Sequence, residues 1–119
     1  MERKSVYLPY KKGVFAMNII IKSRNMSIKD DVRELTYDKL ETIDRVDPTL
    51  GDIEVEYLFE PNPARGSDGQ YKVHFTAYSK HGTQRIESVA GSPRDAFDDG
   101  VSRLQRVLRK QRDKAISHR

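Results

Sequence analysis

The chain has 119 residues, 36% apolar and 34% charged, enough for one domain around one modest core. It has no cysteine, which excludes a disulfide framework and any thiolate nucleophile or metal site. No apolar run is long enough to span a membrane, and the net charge of +4 points to a polyanionic partner.

The charge is unevenly spread: net +3 over residues 1–16, −3 over 17–92 and +4 over 93–119. An acidic body with a basic end would turn that end towards a polyanion. Residues 1–16, MERKSVYLPYKKGVFA, read as an N-terminal extension: Pro9 and Gly13 punctuate them, and no helical period runs through them. They lack the apolar stretch and cleavage site of a signal peptide, consistent with a cytoplasmic protein. Met17 is a candidate natural start, with the preceding segment dispensable apart from Val14 and Phe15, which could lengthen the strand that follows.

From Met17 the chain reads as a strand, with Met17, Ile19 and Ile21 on one face and Asn18, Ile20, Lys22 and Arg24 on the other. Ser27 to Asp30, SIKD, resembles a capping box opening a helix to about Val46. Its apolar face is Val32, Leu35, Thr36, Leu40, Ile43 and Val46, with Lys39 snorkelling out from the middle of that face. Asp47, Pro48 and Gly51 end it. Asp52 to Glu60 alternates strictly, with Ile53, Val55, Tyr57 and Phe59 inward. After the loop 61–69, Tyr71, Val73, Phe75 and Ala77 mark a third strand. A turn at Lys80-His81-Gly82 leads to a weaker fourth, with Gln84, Ile86 and Ser88 inward. Ser92-Pro93 then opens the last helix, with Ser92 as N-cap and Pro93 at the first helical position.

The order is β-α-β-β-β-α. A strand–helix–strand unit predicts parallel pairing of the first two strands, and the short later connections predict an antiparallel meander. The expected fold is α+β: a four-stranded mixed sheet with both helices packed on one face, the layout of double-stranded-RNA-binding domains. The expected division is an extension at 1–16, a βαβββα domain at 17–115 and a short tail at 116–119.

The last helix carries the functional signal. Phe97, Val101, Leu104 and Leu108 form a core stripe, and Arg103, Arg106, Arg109 and Lys110 lie opposite. A row of guanidinium groups on a core-packed helix suits a phosphate backbone, although cations at a helix end also simply complement its dipole. With Arg112 and Lys114 on the same helix, and Lys22 and Arg24 at the end of the first strand, these eight residues are the candidate RNA-binding set. No aromatic row stands on the open sheet face, so contact to phosphate and shape is expected, not single-strand reading.

No chemistry is legible. His74, His81 and His118 are scattered, and Asp95, Asp98 and Asp99 have no base or nucleophile spaced to work with them. There is no P-loop and no GxGxxG. No catalytic residue, metal ligand or cofactor is expected.

Met17 to Glu34, MNIIIKSRNMSIKDDVRE, the helix holding Lys39, three strands and then Asp95 to Lys114, DAFDDGVSRLQRVLRKQRDK, resemble the ribosome hibernation promoting factor family, which includes the ribosome-associated inhibitor called protein Y. The family's last helix has an Asp-x-Tyr-Ala-Ala-Ile-Asp opening. Here Ala96, Phe97 and Asp98 match its end, while Ser92 stands where Asp is usual and Arg94 where Tyr is usual. The resemblance implies a βαβββα fold and binding to small-subunit rRNA in the channel used by mRNA and the tRNA anticodon ends. Inhibition would be steric, without catalysis or cofactor, in stress or stationary phase. It further implies the short hibernation type: a monomer when free, on single ribosomes, pairing them only with a separate modulation factor. The alternatives are a general double-stranded RNA-binding module and, from the family's other label, a sigma-factor modulator.

Overall fold

Apolar alternation and registered pairing together build the sheet. In the computed structural model the described residues are 6–12, 15–61 and 69–117, with side chains described from Asn18 onward except at 44, 62–68 and 117. The strands are β1 (Val6–Lys12), β2 (Phe15–Arg24), β3 (Asp52–Pro61), β4 (Gly69–Ser79) and β5 (Gly82–Ala90); the helices are α1 (Asp30–Leu40) and α2 (Pro93–Ser117). The strands lie side by side in chain order. β2 and β3 pair in parallel, and all other neighbours are antiparallel.

The register aligns the inward residues. Ile19 meets Ile53, which meets Ala77; Ile21 meets Val55, then Phe75, then Ile86. These rows face both helices, and Ile19, Ile53, Val55, Tyr57, Val73, Phe75 and Ala77 are fully buried. At about 25 cal/mol per Å² of apolar surface, such residues supply most of the stabilisation. Phe97 of α2 stacks on Phe75, with ring centroids 5.6 Å apart, and on Tyr57 at 6.2 Å. Gly100 lets the helix approach closely, since a Cβ there would overlap the Phe75 ring at Cε1. The expected βαβββα order, mixed sheet and two helices on one face are all present.

Three local features differ from the sequence reading. First, Val6–Lys12 is a strand, paired from Val6↔Ile21 to Lys12↔Phe15, so a fifth strand is added outside the expected four. Its pattern is illegible because Pro9 and the lysines interrupt it. Phe15 does begin β2, whereas Val14 lies outside the described residues.

Second, the Ser27 capping box does not form. The N-cap is Lys29, still extended at φ −76° and ψ 159° and without a side-chain cap bond. The chain stays extended because Met26 and Ile28 pack against the core before the helix starts. Asp30 and Asp31 then occupy the first turn, at the positive end of the helix dipole.

Third, α1 stops at Leu40 and not near Val46. A 3-10 turn at Ile43–Arg45 follows, through which Ile43 and Val46 still reach the core. The tighter turn changes the angular spacing while keeping the apolar residues inward.

The second helix opens as expected. Ser92 Oγ accepts a hydrogen bond from the Asp95 amide at 3.1 Å, and Pro93 is the first helical residue. No helix among the described residues is long and apolar enough to cross a membrane.

Candidate nucleic-acid interface

The apolar stripe of α2 fixes how its cations point. Phe97, Leu104 and Leu108 are fully buried and Val101 nearly so, which directs the residues half a turn away into solvent. Arg106, Arg109 and Lys110 are all exposed on that outer side. They form a short row on a helix held along its length.

Two of the predicted cations, both partly exposed, reach back to the protein and fasten the helix. The Arg103 guanidinium donates to the backbone carbonyl of Glu87 on β5 and lies 3.5 Å from the Asp99 carboxylate, which also accepts from Ser88 Oγ at 3.1 Å. Arg112 donates to the Val46 carbonyl at 2.8 Å and pairs with Asp113 at 3.1 Å. Arg103 therefore ties α2 to the sheet edge, and Arg112 ties it to the end of the 3-10 turn. Lys114 is exposed and lines a groove together with Lys110.

Lys22 and Arg24 stand on the opposite face of the sheet, away from both helices. Lys22 lies 3.7 Å from Glu54, and Arg24 lies 3.5 Å from Glu56. Lys72 pairs with Glu60 at 2.9 Å and Glu87 at 3.5 Å, and its pKa is raised, chiefly by the hydrogen bond to Glu60. His74 sits between Glu56 and Glu87, 3.8 and 3.7 Å away. Exposed pairs like these add little stability, but they cancel one another's field. The structure thus separates the eight predicted residues into an outward row of three, Lys114 in the groove, two helix braces and two cations paired with glutamates on the far face.

Sequence reasoning missed the groove between the β4–β5 turn and the end of α2, lined by His81, Gln84, Val107, Lys110, Gln111, Lys114 and Ala115. Its polar members are spread over 34 positions of sequence, so only the packing of α2 on β5 assembles them. The available signal was local: Gly82, at φ 133°, marks a tight turn beside the helix. No group of His, Asp or Glu among the described residues is arranged to hold a metal ion.

The fold is that of a defined class. A ribosomal subunit interface protein from Coxiella burnetii superposes with a TM-score of 0.68 at 18% identity, over 80% of this chain and 97% of that one. The N-terminal domain of Protein Y from Thermus thermophilus superposes with a TM-score of 0.58 at 21% identity, over 77% of this chain and 92% of that one. At these identities the likeness establishes the fold. Residues 19–116, from β2 to the end of α2, match the family described as Sigma 54 modulation protein / S30EA ribosomal protein. The chain belongs to that family, the hibernation promoting factors of the sequence resemblance, which are non-enzymatic. No curated protein matches the chain.

Proposed function

We propose that this protein is a ribosome-associated factor that binds the small ribosomal subunit and prevents translation by occupying it. The outer side of α2 lies against rRNA in the channel used by mRNA and the tRNA anticodon ends. The protein works in the cytoplasm, in stress or stationary phase, as a monomer when free and without a cofactor. Any pairing of ribosomes requires a separate modulation factor. Residues 17–115 carry the binding, with 1–16 as an extension and 116–119 as a short tail.

Family membership and the ribosomal names of the structural neighbours support this reading. The observation that carries it is the row Arg106, Arg109, Lys110, exposed on a helix whose opposite stripe is buried. Planar guanidinium groups held in a row can grip successive phosphates with little ordering cost.

The test is co-sedimentation with purified small subunits. The substitutions are Arg106→Glu, Arg109→Glu and Lys110→Glu together; Arg103 and Arg112 stay intact because they brace the helix. The wild-type protein should pellet with the subunit. The triple variant should remain in the supernatant while melting at the wild-type temperature. Undiminished binding by that variant would overturn the role of α2. Wild-type binding displaced equally well by long duplex RNA would favour a general double-stranded RNA binder instead.

A further inference from the structure

We infer that the groove between the β4–β5 turn and the last turns of α2 receives a single unpaired nucleotide of RNA. This rests on the RNA-binding reading above and adds what kind of RNA element the protein selects. The groove has a volume of about 820 Å³ and exposes mainly apolar atoms.

Its lining matches the three parts of a nucleotide. Val107 and Ala115 offer apolar surface for the face of a base. Gln84 and Gln111 offer amide donors and acceptors for a base edge. Lys110 offers a cation for the phosphate, with Lys114 and His81 beside it. Lys110 belongs both to this groove and to the outward row, so a backbone held by Arg106 and Arg109 can continue through Lys110 to the groove.

The groove is also preformed. Gln84 Nε2 donates to Gln111 Oε1, and Gln111 Nε2 donates to Ser79 Oγ at 3.3 Å. Ser79 Oγ accepts from the His81 amide at 3.1 Å and donates to the Gly82 carbonyl at 3.2 Å. A Cβ at Gly82 would come within 3.1 Å of Gln111 Oε1, so the turn and the helix touch where the residue is smallest. This network holds the two walls at a set distance. A base must leave its stack to offer its face and edge, which paired RNA does not allow.

The experiment compares two RNA hairpins of equal length, one fully paired and one with a single bulged nucleotide. Wild-type protein should bind the bulged hairpin about fivefold more tightly, since an aliphatic wall gives no more than the lower end of what a base gains on an aromatic ring. Ala115→Leu narrows the groove at an exposed helical position and should erase the preference while leaving affinity for the paired hairpin unchanged. Ala115→Ser should keep the preference. Arg106→Glu should weaken both hairpins equally. Equal binding of the two hairpins by wild-type protein, or a preference that survives Ala115→Leu, would overturn the inference. Failure to sediment with small subunits would instead overturn the ribosomal reading and leave a measured hairpin preference standing.

Discussion

Tyr57 shows how one side chain serves both the core and a polar contact. Its ring is fully buried against Phe97, and its hydroxyl shares a 2.5 Å hydrogen bond with Thr36 Oγ1, which also donates to the Val32 carbonyl at 2.7 Å. The contact joins β3 to α1. Burial pushes the phenol above its usual value of 10.0; the Thr36 bond opposes this, and the Asp98 charge adds to it. In the folded protein Tyr57 therefore keeps its proton at a pH where the unfolded chain loses it. Its contribution is present below about pH 10 and lost as pH rises further towards the raised folded value. Tyr57→Phe should cost about 1 kcal/mol at neutral pH through the lost hydrogen bond. It should also flatten the decline of stability above about pH 10. Urea unfolding of both proteins at neutral and alkaline pH measures this, and parallel declines would show that Tyr57 ionisation is not responsible.

Elements depend on their neighbours as much as on their own pattern. β2 lies between β1 and β3, so its backbone groups are paired on both sides. The family match begins at residue 19, beyond β1. Removing residues 1–16 would bare one edge of β2, and unpaired edges invite association with other strands. The protein beginning at Met17 should keep α2, whose stripe is buried on β4 and β5. Its β2 amides that bond to β1 should exchange with solvent markedly faster, with α2 amides unaffected. Hydrogen exchange on the two proteins reads this, and equal protection of β2 in both would reduce β1 to a passive appendage. The first helix makes the same point: core contacts of Met26 and Ile28 delay its start, and those of Ile43 and Val46 outlast its end.

Over the whole molecule, charge is sorted by face. The open side of the sheet sets Lys22, Arg24 and Lys72 against Glu54, Glu56, Glu60 and Glu87, and much of that field cancels locally. The outer side of α2 carries Arg106, Arg109 and Lys110. An RNA should therefore meet one side of the protein and feel a small number of charges. With about three phosphates neutralised, log K for small-subunit binding should fall with log salt at a slope near −3, taking roughly 0.9 per phosphate from B-DNA. Engagement of all eight predicted cations would instead give a slope near −7 on the same scale. Binding measured across a salt series separates the two, and the steeper value would mean that Arg103, Arg112, Lys22 and Arg24 release their protein partners on binding.

The sequence by itself determined the βαβββα order, the inward residues of the strands and the core stripe of α2. These follow from periods of 2 and 3.6, which are local properties of the chain. It also carried the family resemblance, because the residues at the two ends of the domain are contiguous in the chain. It did not reveal β1, whose apolar pattern is broken by Pro9 and its lysines and whose strand character comes from pairing with β2. Nor did it divide the candidate cations. A helical wheel puts Arg103 outside the core stripe and Arg112 at its edge, four residues past Leu108, but does not show that the Glu87 and Val46 carbonyls wait beside them. The groove lay still further from reach, since Gln84 and Gln111 meet only when α2 packs across β5. Hydrophobic periodicity is written along the chain, whereas a polar partner is fixed by what lies across the fold. Tertiary structure alone therefore decided which cations remained for a ligand.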